Sequence, residues 1–119
     1  MLDGLDHVQL AMPLGGEERA RAYFGGMLGL AELEKPATLA GGAWFGMPDG
    51  RQIHLCVEEP FRPGGKAHPA FACAALDELA RRLEEGGRQV RWDGALAPRR
   101  RFYCEDPFGN RLESLEAIS

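Results

Sequence analysis

Three histidines and one glutamate occupy matching places in this chain. His7 and His68 lie 61 residues apart, and His54 and Glu113 lie 59 residues apart. Imidazole nitrogens together with a carboxylate oxygen suit a divalent first-row metal ion. Two histidines and one carboxylate leave coordination positions open for substrate oxygens, as in catalytic metal sites. The four residues therefore predict a metal-dependent catalytic centre.

The elements that must position these residues occur twice in the same order. Alternating apolar residues predict strands, and apolar residues at helical spacing predict helices. The first half has a strand over 5–12, a helix from Glu17 to Leu28 and strands near 30–36, 41–47 and 52–58. The second half has a strand over 68–73, a helix at about 75–85 and strands near 88–93, 100–105 and 110–116. The sequence therefore predicts an α+β fold of tandem βαβββ modules.

The final hairpins of the two halves also align residue by residue. Asp-Gly-Arg-Gln-Ile-His-Leu at 49–55 aligns with Phe-Gly-Asn-Arg-Leu-Glu-Ser at 108–114, which places His54 on Glu113. The turns are predicted at MPDG (47–50) and DPFGN (106–110). This internal repeat indicates that each half supplies one candidate ligand from its first strand and one from its last.

Length and charge set the broad class of the protein. A chain of 119 residues, 45% hydrophobic, suits one domain over 1–119, with modules at about 1–60 and 66–119. The net charge is −4, and the basic residues are scattered except for Arg99, Arg100 and Arg101, so nucleic acid is not an expected partner.

Membrane insertion and secretion are not expected either. The apolar stretches are no longer than strands, and Asp3 and Asp6 stand where a signal peptide carries positive charge. Cys56, Cys73 and Cys104 are odd in number and form no CxxC pair, so we predict buried thiols in a reducing compartment. These features predict a cytoplasmic protein.

At these residues the sequence resembles the vicinal oxygen chelate superfamily, which includes glyoxalases, bleomycin-resistance proteins, fosfomycin-resistance thiol transferases and extradiol dioxygenases. The resemblance runs nearly end to end, through MLDGLDHVQLAM, ARAYFGGMLGL and EDPFGNRLESLE. It implies cupped mixed sheets and a metal ion (Zn, Ni, Mn, Co or Fe) held by His7, His68 and Glu113. The place of a fourth ligand, usually Glu in glyoxalase I, holds His54, which is either a ligand or an adjacent base.

The resemblance leaves three functions open. The first is a metal-dependent isomerase, lyase or thiol transferase that stabilises an oxyanion or enolate, with His54 and Glu113 as catalytic groups. The second is a protein that sequesters an antibiotic or another small molecule without turnover. The third is an extradiol-type dioxygenase, in which His54 and Tyr103 would imitate the additional His and Tyr of that group. Retention of all four positions favours the first function over sequestration.

Several further residues are candidates for contact with the substrate. Gln9 shares a strand face with His7, and Tyr103 and Arg101 lie on the strand before Glu113. The run Arg99–Arg101 predicts either a clamp for a substrate anion or a solvated loop. Trp44 or Phe45, and Phe102 or Tyr103, line a cavity or a core, because only one of each adjacent pair faces either side of a strand.

The resemblance also implies a homodimer. Short members of the superfamily pair across chains, so His7 and His54 of one subunit are expected to meet His68 and Glu113 of the other. Closure of the two halves of a single chain on each other is the alternative. Either arrangement would assemble the same four residues.

Overall fold

The computed structural model describes residues 1–117 of the chain. The chain divides into two compact units, Met1–Pro63 and a second unit that begins at Gly64. Each unit has one four-stranded mixed sheet and one helical segment. The predicted α+β class and the repeated βαβββ order are confirmed.

The first unit begins with the strand that carries His7. Its strands are β1 (His7–Met12), β2 (Ala31–Leu33), β3 (Ala43–Gly46) and β4 (Gln52–Val57). The strand order is β1-β4-β3-β2, with β1 parallel to β4 and the other pairs antiparallel. The first and last strands of the module are therefore neighbours, so His7 and His54 lie on adjacent strands.

The second unit repeats this topology. Its strands are β5 (Ala70–Cys73), β6 (Arg91–Asp93), β7 (Arg101–Glu105) and β8 (Arg111–Glu116), in the order β5-β8-β7-β6. Here β5 is parallel to β8, and the other pairs are antiparallel. The duplication inferred from the sequence is thus a duplication of topology.

The helix of the first unit differs from the expected one. Regular α-helix α1 covers only Glu17–Ala20 and continues as a π-helical segment over Arg21–Met27, in which the N–H of Leu28 donates to the carbonyl of Tyr23 at 2.9 Å. Gly25 and Gly26 lie in this wider turn. The expected uniform α-helix from Glu17 to Leu28 is therefore corrected.

Alternation along β4 separates the two faces of the first sheet. Ile53 and Leu55 are each 1% exposed and belong to the core with Met12 and Phe45. Burying one such side chain contributes about 1.5–3 kcal/mol. Because a shift of one residue would turn these side chains outward, the core fixes the face that presents His54.

The core of the second unit is formed by one face of its sheet and its helix. Helix α2 (Leu76–Glu85) buries Leu76, Ala80 and Leu83. Phe102 and Leu112 are buried on the strands that follow. Tyr103 and Glu113 alternate with these two residues and therefore lie on the opposite face.

The positions of His68 and of two cysteines differ from expectation. His68 was expected at the start or edge of the first strand of the second half, and that strand begins two residues later, at Ala70. Pro69, between them, has no N–H to donate, although its carbonyl accepts the N–H of Glu113 at 3.1 Å. Cys104 is buried as expected, whereas Cys73 is partly buried and Cys56 is exposed, because Cys56 lies on the face of β4 opposite to Ile53.

No helix within residues 1–117 is long and apolar enough to cross a membrane.

Candidate metal centre

The first pair of candidate ligands lies on the parallel strands β1 and β4. Their register places Gln9 opposite His54, with His7 opposite Gln52. The Nδ1 atom of His7 lies 2.9 Å from a carboxylate oxygen of Asp6. A carboxylate accepts, so Nδ1 carries the proton and Nε2 keeps the lone pair that a metal requires. The side chain of His7 is 41% exposed, so this nitrogen lies near the surface of its unit.

His54 is held between two rings. Its imidazole stacks on Trp44 at 3.8 Å between centroids with 2° between the planes, and on His7 at 4.1 Å with 17°. Its Nε2 lies 2.8 Å from the side-chain oxygen of Gln52. The residue is 6% exposed. Burial first, and then the neighbouring His7, lower the pKa of His54, against the opposing effect of Asp6.

The other two candidate ligands, His68 and Glu113, contact each other directly. Nε2 of His68 lies 2.9 Å from Oε1 of Glu113. Nδ1 of His68 lies 2.8 Å from the carbonyl oxygen of Lys66, which can only accept, so Nδ1 carries a proton. The Nε2 atom therefore either carries a second proton, which it donates to Oε1, or presents its lone pair to the carboxylate. In the second case the two atoms would repel each other unless a cation lay between them.

Arg101 holds the other oxygen of the same carboxylate. Its Nη1 donates to Oε2 of Glu113 at 3.2 Å, and its Nη2 donates to Oδ1 of Asp93 at 3.1 Å. The backbone N–H of Ala95 and then Arg101 lower the pKa of Asp93. Glu113 is 5% exposed. Because Arg101 contacts only Oε2, Oε1 is left to face His68.

The ring of Tyr103 contacts both a candidate ligand and two arginines. It lies opposite Glu113 on the neighbouring strand, and its ring centroid is 5.4 Å from that of His68. The guanidinium carbons of Arg101 and Arg111 lie 5.2 and 5.5 Å from the centre of the same ring. Tyr103, rather than the buried Phe102, therefore faces the candidate ligands.

The two pairs occupy equivalent rows of the two sheets. In the first sheet Gln9, His54 and Trp44 lie side by side. In the second sheet Ala70, Glu113 and Tyr103 do the same. Each module thus places a candidate ligand on its last strand next to an aromatic ring on the preceding strand. Trp44, and not Phe45, is the aromatic residue of its pair that faces the site.

The structure joins the predicted residues in two pairs, His7 with His54 and His68 with Glu113. Within residues 1–117 it contains no group of three or more His, Cys, Asp or Glu side chains that could hold a metal ion. The second pair nevertheless has the chemistry of metal ligands. Two donor atoms bound to one tetrahedral ion at about 2.0–2.2 Å are separated by roughly 3.3–3.6 Å, so the 2.9 Å observed is a hydrogen-bond distance that would widen by about 0.5 Å to admit an ion. Gln9, the remaining predicted contact, is exposed beside His54.

Arg99 and Arg100 of the run Arg99–Arg101 lie at the end of a largely exposed loop, and Arg101 begins β7. Arg99 donates to the carbonyl of Glu116, and Arg100 makes a bidentate pair with Asp77 on the helix. Arg101 alone reaches the candidate ligands. The sequence analysis missed Asp6 and Asp93 as orienting partners. The adjacency of Asp6 to His7 was a usable signal, whereas Asp93 is identified only by the pairing of β6 with β7.

Comparisons with known proteins agree with this architecture. A glyoxalase family protein from Bacillus anthracis is 43% identical in sequence, with a TM-score of 0.94 over 99% of this chain and 98% of that one. A glyoxalase/dioxygenase from Nostoc punctiforme is 25% identical, with a TM-score of 0.80 over 99% and 93%. A genomically encoded fosfomycin resistance protein from Listeria monocytogenes, 18% identical, shares the fold with a TM-score of 0.81 over 99% and 94%. No family model and no curated protein matches the chain.

The sequence identity and near-complete coverage of the Bacillus anthracis protein, together with the two βαβββ modules, show that this chain belongs to the glyoxalase family of the vicinal oxygen chelate superfamily.

Proposed function

We propose that the protein is a divalent-metal-dependent enzyme that acts on a small, oxygen-bearing substrate by isomerase, lyase or thiol-transferase chemistry. The observation that carries the proposal is the 2.9 Å contact between Nε2 of His68 and Oε1 of the buried Glu113. His7, whose Nδ1 is oriented by Asp6, is the third proposed ligand. When bound, a divalent ion would act as a Lewis acid toward substrate oxygens.

The stacking geometry supports three protein ligands rather than four. An imidazole nitrogen donates its lone pair in the plane of its ring, so a bound ion lies in that plane at about 2.0–2.1 Å. The rings of His7 and His54 are nearly parallel, with centroids 4.1 Å apart. Because the two ring planes are only 17° apart, they intersect far from both rings, and no point within bonding distance of both nitrogens lies in both planes. The two rings cannot both donate to one ion without leaving the stack.

His54 is therefore proposed as the adjacent base. The oxygen of Gln52 accepts from Nε2, which leaves the lone pair of His54 on Nδ1. Its lowered pKa favours the neutral imidazole that a base requires near neutral pH. Trp44 and His7, on its two faces, hold the ring in place.

We further propose that the site is completed in a homodimer, where the His7 and His54 pair of one subunit meets the His68 and Glu113 pair of the other. Each unit brings together its own two candidates, so a complete site needs one pair of each kind, and the resemblance to short members of the superfamily favours a second copy of the chain as the source of the other pair. Three ligands and one base, each present twice in a dimer, give two equivalent centres.

The proposed function is tested by metal analysis followed by a substrate screen. Protein that is expressed with added Zn, Mn, Ni, Fe and Co is expected to retain close to one equivalent of metal per chain. The loaded protein is then assayed with hemithioacetals of α-ketoaldehydes, epoxides with thiols, and catechols. Less than about 0.2 equivalents of every metal, together with tight binding of an unaltered small molecule, would instead identify a sequestering protein.

A further inference from the structure

Two partly buried arginines lack an acceptor in the part of the chain that the structure describes. Five arginines are partly buried, namely Arg88, Arg91, Arg99, Arg101 and Arg111. Arg88 donates to the carbonyls of Glu105 and Asp106. Arg99 donates to a carbonyl and Arg101 to two carboxylates. Within residues 1–117, Arg91 and Arg111 have neither a hydrogen-bond acceptor nor a carboxylate within 4.0 Å.

These two arginines flank Tyr103 on the face that carries Glu113. Tyr103 lies opposite Arg91 on one neighbouring strand and opposite Glu113 on the other. Residues directly opposite in a sheet project to the same side. Arg111 is two residues before Glu113 and so shares its face, with its guanidinium carbon 5.5 Å from the ring of Tyr103.

Arg111 lies close to the proposed metal ligand His68. The ring of Tyr103 is also in contact with that of His68, at 5.4 Å. Since both groups lie against one ring, the Arg111 guanidinium and the His68 imidazole are at most about 11 Å apart. One small molecule can span that distance.

The local charges favour an anion at this place. Arg101 is neutralised by Asp93 and Glu113. Glu105, the cross-strand partner of Arg111, is exposed and forms no ion pair with it. A guanidinium is always charged, and its planar set of donors matches a carboxylate, phosphonate or phosphate group. Two such groups without acceptors, on the face that carries Glu113, have the chemistry of a receptor for an oxyanion.

We propose that the substrate carries an anionic oxygen group, and that Arg111 with Arg91 binds this group while other oxygens of the same molecule reach the metal centre. This inference rests on the proposed function, of which it names the substrate class. Tyr103 acts as the platform that holds Arg111.

The test is a titration of metal-free, dialysed protein with inorganic phosphate, monitored by NMR of the arginine Nε–H signals. Arg111→Met and Arg91→Met retain most of the apolar stem and remove the charge. Each is expected to weaken phosphate binding at least fivefold, and Arg111→Lys less than Arg111→Met. The control is Arg62→Met, which removes an exposed arginine outside this face and should leave affinity within twofold. Thermal unfolding of each variant identifies any that fails to fold.

Two results would overturn the proposal. The first is phosphate affinity that is unchanged in folded Arg111→Met and Arg91→Met. The second is a loss of dimer association in these variants, measured by sedimentation, without a loss of phosphate binding, because the acceptor would then be a carboxylate of the second copy. Phosphate binding that depends on Arg111 in a protein that binds no metal would support the anion site and refute the metal-dependent function.

Discussion

Nε2 of His68 and Oε1 of Glu113 lie 2.9 Å apart, and each residue is held by a second contact that points its donor atom at the other. The carbonyl of Lys66 fixes the tautomer of His68, and Arg101 occupies the remaining oxygen of Glu113. Ordered partners of this kind orient metal ligands and tune their basicity. Under the proposed function the pair would already be arranged before an ion binds, which would reduce the conformational entropy lost on binding.

Replacement of Glu113 by Gln is expected to weaken binding of divalent metal about tenfold or more, because it removes the anionic member of the ligand set. The measurement is isothermal titration of dialysed protein with Zn²⁺ and Mn²⁺. Glu105→Gln, an exposed carboxylate on the adjacent strand, serves as the control and should bind as the wild type does. Equal affinity of Glu113→Gln and wild type for every metal would refute the assignment.

The proposed role of His54 is tested by His54→Phe, which preserves a flat ring between Trp44 and His7 and removes both nitrogens. Metal affinity is expected to stay within about twofold of wild type while turnover falls at least a hundredfold, in the range of general-base catalysis. His7→Phe is the matched substitution in the same stack and should lose about tenfold or more in metal affinity. If His54→Phe weakens metal binding as much as His7→Phe does, His54 is a ligand.

Sharing of the centre between subunits is tested with mixed dimers of His7→Ala and Glu113→Ala chains. Each variant alone should bind metal poorly. In the mixed dimer one of the two centres combines native pairs from both chains, so about half of the native metal content should return. Heterodimers that form and bind no more metal than the parent variants would show that each chain completes its own centre.

The last hairpin of the second unit provides a prediction about stability. Asp106 is 1% exposed, and its carboxylate accepts the N–H groups of Phe108 and Asn110 and the side-chain amide of Asn110. Burial raises its pKa, against the effect of these hydrogen bonds. Asp106→Ala leaves buried donors without an acceptor and is expected to lower the free energy of unfolding by about 2–4 kcal/mol.

The control for Asp106 is Asp49, in the equivalent turn of the first unit. Its carboxylate accepts from Arg51 but is exposed to solvent. Asp49→Ala is therefore expected to change stability much less. Urea denaturation of the two variants makes the comparison. A similar loss in both, or none in Asp106→Ala, would contradict the account of the turn.

Sequence patterns predicted the fold well because buried and exposed side chains alternate along the strands that form the core. Ile53 and Leu55 occupy every second position of β4, and the DPFGN turn ends the strand before β8. The π-helical segment was not predicted, since its residues also satisfy helical spacing. The exposure of Cys56 was missed although alternation along β4 places it on the face of His54, opposite to Ile53 and Leu55.

The candidate site was predicted only at the level of residue types. The repeat identified His7, His54, His68 and Glu113, but their grouping into two pairs follows from the parallel pairing of first and last strands. The stack from which we infer that His54 is not a ligand also required the register of β3 with β4, which places Trp44 beside His54. Arg111 was not singled out, since the signal was its lack of an acceptor, which only coordinates reveal.

The most direct test of the central claim is a crystal structure of Mn²⁺- or Zn²⁺-loaded protein with anomalous data at the metal edge. We expect one anomalous peak per chain, about 2.0–2.3 Å from Nε2 of His7, Nε2 of His68 and the carboxylate of Glu113, with His54 still stacked on Trp44. A peak that lies away from the His68 and Glu113 pair, or no peak in protein that holds stoichiometric metal at another place, would contradict the account.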